Sequence, residues 1–183
     1  MEEKPSKRSH ADLIVAGCAL VVSAISAIGV VYQGRILSDQ LSATVWPYLS
    51  FIESSNDTFL QFSIQNVGAG PALIKSATLY VDGKPQSSLH TALGLLGYAS
   101  KGHDTLEYTS FGPGDVVRAG DSVRVLRVGS KGLIPLGIAM QKRARAEVCY
   151  CSMLGQCWLA KTDVDARSDV KSCDAAPKEG LTP

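Results

Sequence analysis

Four of the five cysteines fall close together, at Cys149, Cys151, Cys157 and Cys173. Thiols at this density do one of three things. As thiolates they hold a metal such as zinc. As a vicinal pair they exchange disulfides. In an oxidising compartment they close into bonds that brace a small fold. Spacing helps to separate these. A zinc knuckle places two to four residues between two ligands, and Cys149-x-Cys151 has only one. A redox pair sits as Cys-x-x-Cys at a helix N-terminus, which lowers the thiol pKa, and this pair does not. The number is even, and an N-terminal anchor with positive charges ahead of it puts all four on an oxidising side. Disulfides are therefore the expectation, with exchange through Cys149 and Cys151 as the alternative. No metal or cofactor is called for.

Strand alternation puts Cys149 and Cys151 on one face. Cys151 and Cys157 flank Ser152-Met153-Leu154-Gly155-Gln156 and can meet across the base of a hairpin. That leaves Cys173 for Cys149. Four cysteines allow three pairings, and this one is preferred.

Other chemistry is thin, and no residue is assigned a catalytic role. His103-Asp104 could orient an imidazole, but no nucleophile accompanies it. Gly68-Ala69-Gly70 resembles the start of a dinucleotide loop, but Leu73 fills the sixth position and Pro71 removes a phosphate-binding N–H. A turn between strands is the better reading. Lys142, Arg143 and Arg145 form a short basic cluster, read as a solvated face. Asn56-Asp57-Thr58 is a glycosylation triplet of a kind that arises often by chance. Net charge is +1, and acids and bases cancel from Ile36 onward. No field collects nucleic acid.

The elements that carry these residues begin with an apolar run. Leu13 to Tyr32 holds no charge, Pro, Asn or Gln. At about 1.5 Å per residue such a helix crosses a hydrocarbon core of about 30 Å. The run is too long for a signal peptide. Val15-Ala16-Gly17-Cys18 looks like a lipobox, but Asp12 leaves almost no apolar stretch ahead of it. An uncleaved anchor over residues 13–33 follows, with the bilayer as its partner. Lys4, Lys7 and Arg8 precede the run, whereas Arg35 alone follows it closely. Positive flanks stay inside, so the N-terminus is cytoplasmic and the rest lies outside. Ala19, Ser23 and Ala27 stack four apart, a spacing that lets two membrane helices approach and offers a homodimer face.

The expected layout is a cytoplasmic tail at 1–12, the span at 13–33 and a juxtamembrane segment at 34–44. A β-rich extracytoplasmic domain at 45–174 and a flexible tail at 175–183 complete it. Leu60, Phe62 and Ile64 alternate with polar residues as in a half-buried strand. Ala72 to Val81 reads as the next strand, closed by an Asp82-Gly83 hairpin turn. Ser87 to Leu96 predicts a short capped helix. Val116 to Arg118 and Ser122 to Val128 read as a hairpin, with Val123 and Val125 on one face and Leu126 and Val128 on the other. Leu133 to Arg143 is helix or loop. Ala144 to Cys151 and Cys157 to Thr162 are strands. The fold class is an N-terminal transmembrane helix plus a mainly-β, sandwich-like domain with one or two short helices, with α+β as the alternative.

Several pieces together carry a resemblance. They are the span, Trp46-Pro47-Tyr48, Asn66-Val67-Gly68-Ala69-Gly70-Pro71-Ala72, Ala119-Gly120-Asp121-Ser122, and Cys149-Tyr150-Cys151-Ser152 with Cys157-Trp158. The chain resembles a loose group of uncharacterised bacterial single-pass inner-membrane proteins with a periplasmic β-rich domain. That resemblance implies a location and lends no mechanism. The function expected is a membrane-anchored interaction or accessory module for a protein or envelope partner. The alternative is a thiol-disulfide redox protein using Cys149 and Cys151.

Overall fold

The computed structural model describes residues 10–100, 102–163, 167–174 and 181. The expected N-terminal tail up to residue 9 lies outside these. So does the expected C-terminal tail apart from Leu181. The chain divides into two compact units between Ala43 and Thr44.

The first unit is helical. Helix α1 runs unbroken over His10–Thr44, 35 residues. At about 1.5 Å per residue it is about 52 Å long. Its stretch from Asp12 to Leu41 is long and apolar enough to cross a membrane, and the most apolar part is not buried at all. Residues 34–44 continue the same helix. Ser23 Oγ donates to Ala19 O at 2.7 Å, so its hydroxyl is satisfied within the helix.

The second unit is mainly β, as the sequence pattern predicted, and consists of two antiparallel sheets and short helices. One sheet has the order β1-β2-β7-β5, with β1 Leu49–Ser55, β2 Phe59–Asn66, β7 Ser122–Gly129 and β5 Thr105–Tyr108. The other has the order β10-β9-β8-β3-β4. Its strands are β3 Ala72–Val81, β4 Lys84–Gln86, β8 Ala144–Cys151, β9 Cys157–Lys161 and β10 Ser168–Val170. A short β6, Val116–Val117, pairs with the start of β3. Residues of both sheets share one apolar core, including Leu60, Ile64, Ile74, Val128, Val148 and Tyr150.

Local chemistry explains the elements. Asp82 and Gly83 both take positive φ, 52° and 77°, as a tight hairpin turn between β3 and β4 demands. Helix α2, Leu89–Leu95, starts at Ser88, whose side chain accepts from Thr91 N. It ends in a Schellman motif: Tyr98 N donates to Leu93 O and Gly97 N to Gly94 O, with Gly97 at φ 91°. Helix α3, Ile134–Arg143, carries Pro135 in its first turn and Lys142 and Arg143 in its last, where they suit the dipole.

Two expectations change. Val116–Val117 and Ser122–Gly129 are not a hairpin, because they belong to different sheets. The turn Ala119-Gly120-Asp121 is a crossover held by Asn66: Asn66 N donates to Asp121 O and Gly120 N donates to Asn66 O. The faces of β7 also differ. Its register against β2 skips Val125, since Phe62 pairs with Leu126 and Ser63 with Arg124. This bulge brings Val123, Leu126 and Val128 opposite Ile64, Phe62 and Leu60 on the core side. Val125 itself is still fully buried.

Asn66 also binds the second crossover, from β2 to β3. Its Nδ2 donates to Gly70 O at 2.8 Å and to Val117 O at 2.9 Å. Its Oδ1 accepts from Tyr48 N at 3.1 Å and Gly68 N at 3.0 Å. The nearly isosteric Asn66→Asp removes both donors and faces two carbonyls with a charge. Two lost buried bonds predict a destabilisation of about 3 kcal/mol, read as a lower urea midpoint. A change within about 0.5 kcal/mol, the range of ordinary surface substitutions, would refute this role.

Candidate functional site

The structure brings all four clustered cysteines together on β8, β9 and the segment after β10. Cys149 is bonded to Cys173 and Cys151 to Cys157. The reason lies in β8. Ala146, Val148 and Tyr150 face the shared core. Cys149 and Cys151 face outward into a second buried cluster with Cys173, covered by Leu159 and Val170. Cys151 and Cys157 are direct cross-strand partners. Three of the sulfurs, those of Cys151, Cys157 and Cys173, lie within 4.8 Å of one another. Each is spent in an S–S bond and is no thiolate donor, so the cluster does not fit a zinc ion. Cys18 is free and lies on α1.

The glycine-rich stretch after β2 has a packing role. A Cβ at Gly70 would overlap the Val45 carbonyl, and one at Gly68 would overlap the Tyr48 amide. Ala69 N and Gly70 N both donate to Trp46 O, at 3.0 and 3.2 Å. The segment Val45–Tyr48 therefore lies directly on this loop. Arg167 also contacts it. Its guanidinium stands 4.5 Å from the ring centroids of Trp46 and Trp158 and 5.1 Å from that of Tyr48. It also donates to Pro47 O. Each such cation–π contact contributes about 0.5–2 kcal/mol. Burial first of all raises the pKa of neighbouring Tyr150, whose hydroxyl accepts from Leu49 N. This is a cage already filled by the protein's own cation.

The remaining sequence candidates are structural. Asp104 accepts from Tyr98 Oη at 3.1 Å, and His103 is exposed. Burial, then this bond, raises the Tyr98 pKa. Arg143 grips Asp82 through two nitrogens, and the bond from Arg143 lowers the Asp82 pKa. Arg145 pairs with Asp163 at 3.3 Å. Two of the three cluster cations therefore have acidic partners. Asn56 Oδ1 accepts from Thr58 N, Thr58 Oγ1 and Phe59 N, an Asx turn before β2.

One concave feature combines apolar walls with an unsatisfied polar atom. A cleft of about 160 Å³ opens between the two sheets under α2 and α3. Phe62, Leu79, Leu93, Leu126 and Met140 form its walls, and Glu53, Gln141, Arg145 and Thr162 supply its polar side. Glu53 Oε1 is buried without a hydrogen-bond partner. Burial raises the Glu53 pKa above its ordinary value, and a bond from Gln141 opposes this. Leu181 also lines the cleft. It is buried and makes an antiparallel bridge with Phe111. A flexible tail was expected at this position. Neither Glu53, Arg167 nor Leu181 stood out in the sequence. The only signal was a lone acid within the extended stretch that follows Pro47.

Structure and site define a class: a helix able to span a membrane, and a disulfide-braced two-sheet domain with an apolar cleft. Comparison with protein families, curated proteins and solved structures found no match.

Two predictions follow from this geometry. The chain-entropy relation, applied to separations of 24 and 6 residues, gives about 3.5 kcal/mol for Cys149–Cys173 and about 2.2 kcal/mol for Cys151–Cys157. Cys149→Ser and Cys173→Ser should lower the denaturant midpoint alike, and more than loss of the hairpin bridge. A large effect from one and none from the other would contradict the bond. The second concerns pH. Folded Glu53 holds its proton more tightly than the unfolded chain does. Stability therefore falls as pH rises from the ordinary glutamate value through the raised one. Glu53→Gln should match the parent at about pH 4 and exceed it at about pH 7. Equal differences at both pH values would rule out this coupling.

Proposed function

We propose that this protein is a single-pass, membrane-anchored interaction module of the bacterial cell envelope. Its N-terminus lies in the cytoplasm and its β domain in the periplasm. Helix α1 acts as an uncleaved signal anchor and the inner membrane as its solvent. The observation that carries this reading is the apolar stretch within Asp12–Leu41, which finds no cover within the fold. Apolar surface of that extent needs a hydrocarbon environment. Lys4, Lys7 and Arg8 ahead of the helix support the orientation. Two disulfides in the domain support an oxidising compartment. Ala19, Ser23 and Ala27 form the face on which a second copy would approach. The domain presents a cleft and sheet edges, and a protein or envelope partner is the ligand class that suits them.

A second reading, thiol–disulfide exchange through Cys149 and Cys151, has one observation in its favour. Cys151 Sγ lies 3.8 Å from Cys173 Sγ, so the two disulfides touch. Against it, Cys149 and Cys151 are only 2% and 6% exposed, and exchange needs access for an attacking thiolate.

One experiment addresses both readings. Free thiols are trapped in intact cells with a membrane-permeant mass tag, and tags are counted with and without reductant. The anchored module predicts one tagged cysteine, Cys18, before reduction and all five after it. Five tags before reduction would overturn the periplasmic placement. Partial tagging of Cys149 or Cys151 after mild reductant would favour exchange.

A further inference from the structure

Leu181 is held in a way that resembles a bound ligand. Its N–H donates to Phe111 O at 2.7 Å, and Phe111 N donates to Leu181 O at 3.1 Å. Phe111 lies outside every named strand, so these two bonds form an isolated bridge. The Leu181 side chain is 3% exposed and forms part of the cleft wall with Phe62, Leu93 and Met140. A residue that pairs its backbone with Phe111 while its side chain packs into an apolar wall makes the contacts that an extended peptide would make. The cleft keeps about 160 Å³ of space even with Leu181 in its wall.

The second observation is independent. Glu53 Oε1 faces burial with no donor, although the carboxyl receives a bond from Gln141. A buried acceptor without a partner is costly, and it lies in the wall of the same cleft. The missing complement is a group with an N–H or O–H to donate, carried on an otherwise apolar segment.

We propose that this cleft is the receptor site for an extended peptide segment of a partner protein. The segment would place one large aliphatic side chain in the cleft, pair its backbone with Phe111 and donate to Glu53. Leu181 occupies the site in cis and is displaced when the partner binds. The inference rests on the reading of the domain as an interaction module and names the surface it uses. A tethered occupant competes at a high effective concentration. Removing its anchor side chain therefore opens the site while leaving the walls formed by Phe62, Leu93 and Met140 in place.

The test uses the full chain in detergent micelles and a fluorescent peptide matching residues 175–183. Leu181→Ser should bind this peptide saturably, at least about tenfold more tightly than the wild-type chain does, because the cis competitor is lost. The same peptide with serine in place of its leucine should not bind. Absence of saturable binding to a folded Leu181→Ser chain, or equal affinity for both chains, would overturn the proposal. If Leu181→Ser does not fold, hydrogen exchange on the wild-type chain decides. Amides of Phe111 and Leu181 that exchange far faster than those of Leu60 and Val128 mark a displaceable segment. Protection equal to the core would make Leu181 a permanent core residue and sink the idea. Peptide affinity does not depend on membrane orientation, so this test and the thiol-tagging test fail separately.

Discussion

Asn66 is fully buried, and its side-chain amide uses its full donor capacity and accepts twice. Two donors go to Gly70 O and Val117 O, and Oδ1 takes the amides of Tyr48 and Gly68. Its own backbone holds Asp121 O and Gly120 N. These partners come from four separate stretches of chain. They are the segment entering β1, the loop leaving β2, the short β6 and the turn before β7. Two of the crossovers between the sheets, from β2 to β3 and from β6 to β7, pass through this one residue. A polar group in a core is costly unless satisfied. That cost gives the amide its directing force: only one arrangement of the four stretches satisfies it. The glycines next to it serve the same end, since any side chain at Gly68 or Gly70 would push Val45–Tyr48 off the loop.

The outer side of β8 is organised by covalent bonds instead. Strand β8 is buried on both sides, with Val148 and Tyr150 in the shared core and Cys149 and Cys151 in an outer cluster. An outer face of a sheet is normally solvated. Here the segment after β10, with Cys173, closes over it, and the patch it makes is small, with Leu159 and Val170 as its main aliphatic members. Burial of so little apolar surface would not hold a segment of this length against its entropy. The Cys149–Cys173 bond does so by closing the chain at both ends. The same closure brings the stretch containing Arg167 near Trp46, Tyr48 and Trp158, so the aromatic cage and the disulfide cluster are linked through the chain between them.

Several of these features were legible in the sequence because they are local. The charge-free run, the alternation of Leu60, Phe62 and Ile64, the Asp82-Gly83 turn and the Ser88 cap each depend on neighbours a few residues away. The cysteine pairing was legible for a similar reason, since alternation puts Cys149 and Cys151 on one face and the tight hairpin puts Cys157 opposite Cys151. What failed was long-range. Val116–Val117 and Ser122–Gly129 look like a hairpin because a turn separates them, and nothing nearby shows that Asn66 pulls them into different sheets. The bulge at Val125 inverts half of a strand, and period-two counting cannot see one skipped residue. Glu53 and Leu181 are surrounded in sequence by residues that say nothing of a cleft.

The cleft also differs from the other polar sites in how completely its groups are satisfied. Asn66 has a partner for each of its contacts, Arg167 has three rings and a carbonyl, and Arg143 has both oxygens of Asp82. Such sites specify the fold, and nothing is left over for a ligand. Glu53 is the exception among the described residues, with one oxygen buried and unpaired beside open apolar space. Folding alone gives no reason to keep a carboxyl there, since burial works against its charged form. A chain selected only for stability would gain by replacing it. An unsatisfied acceptor next to a wall residue held by a single bridge makes physical sense if both are completed by something that comes and goes. Binding sites are where a fold tolerates such incompleteness, because the complement arrives with the partner.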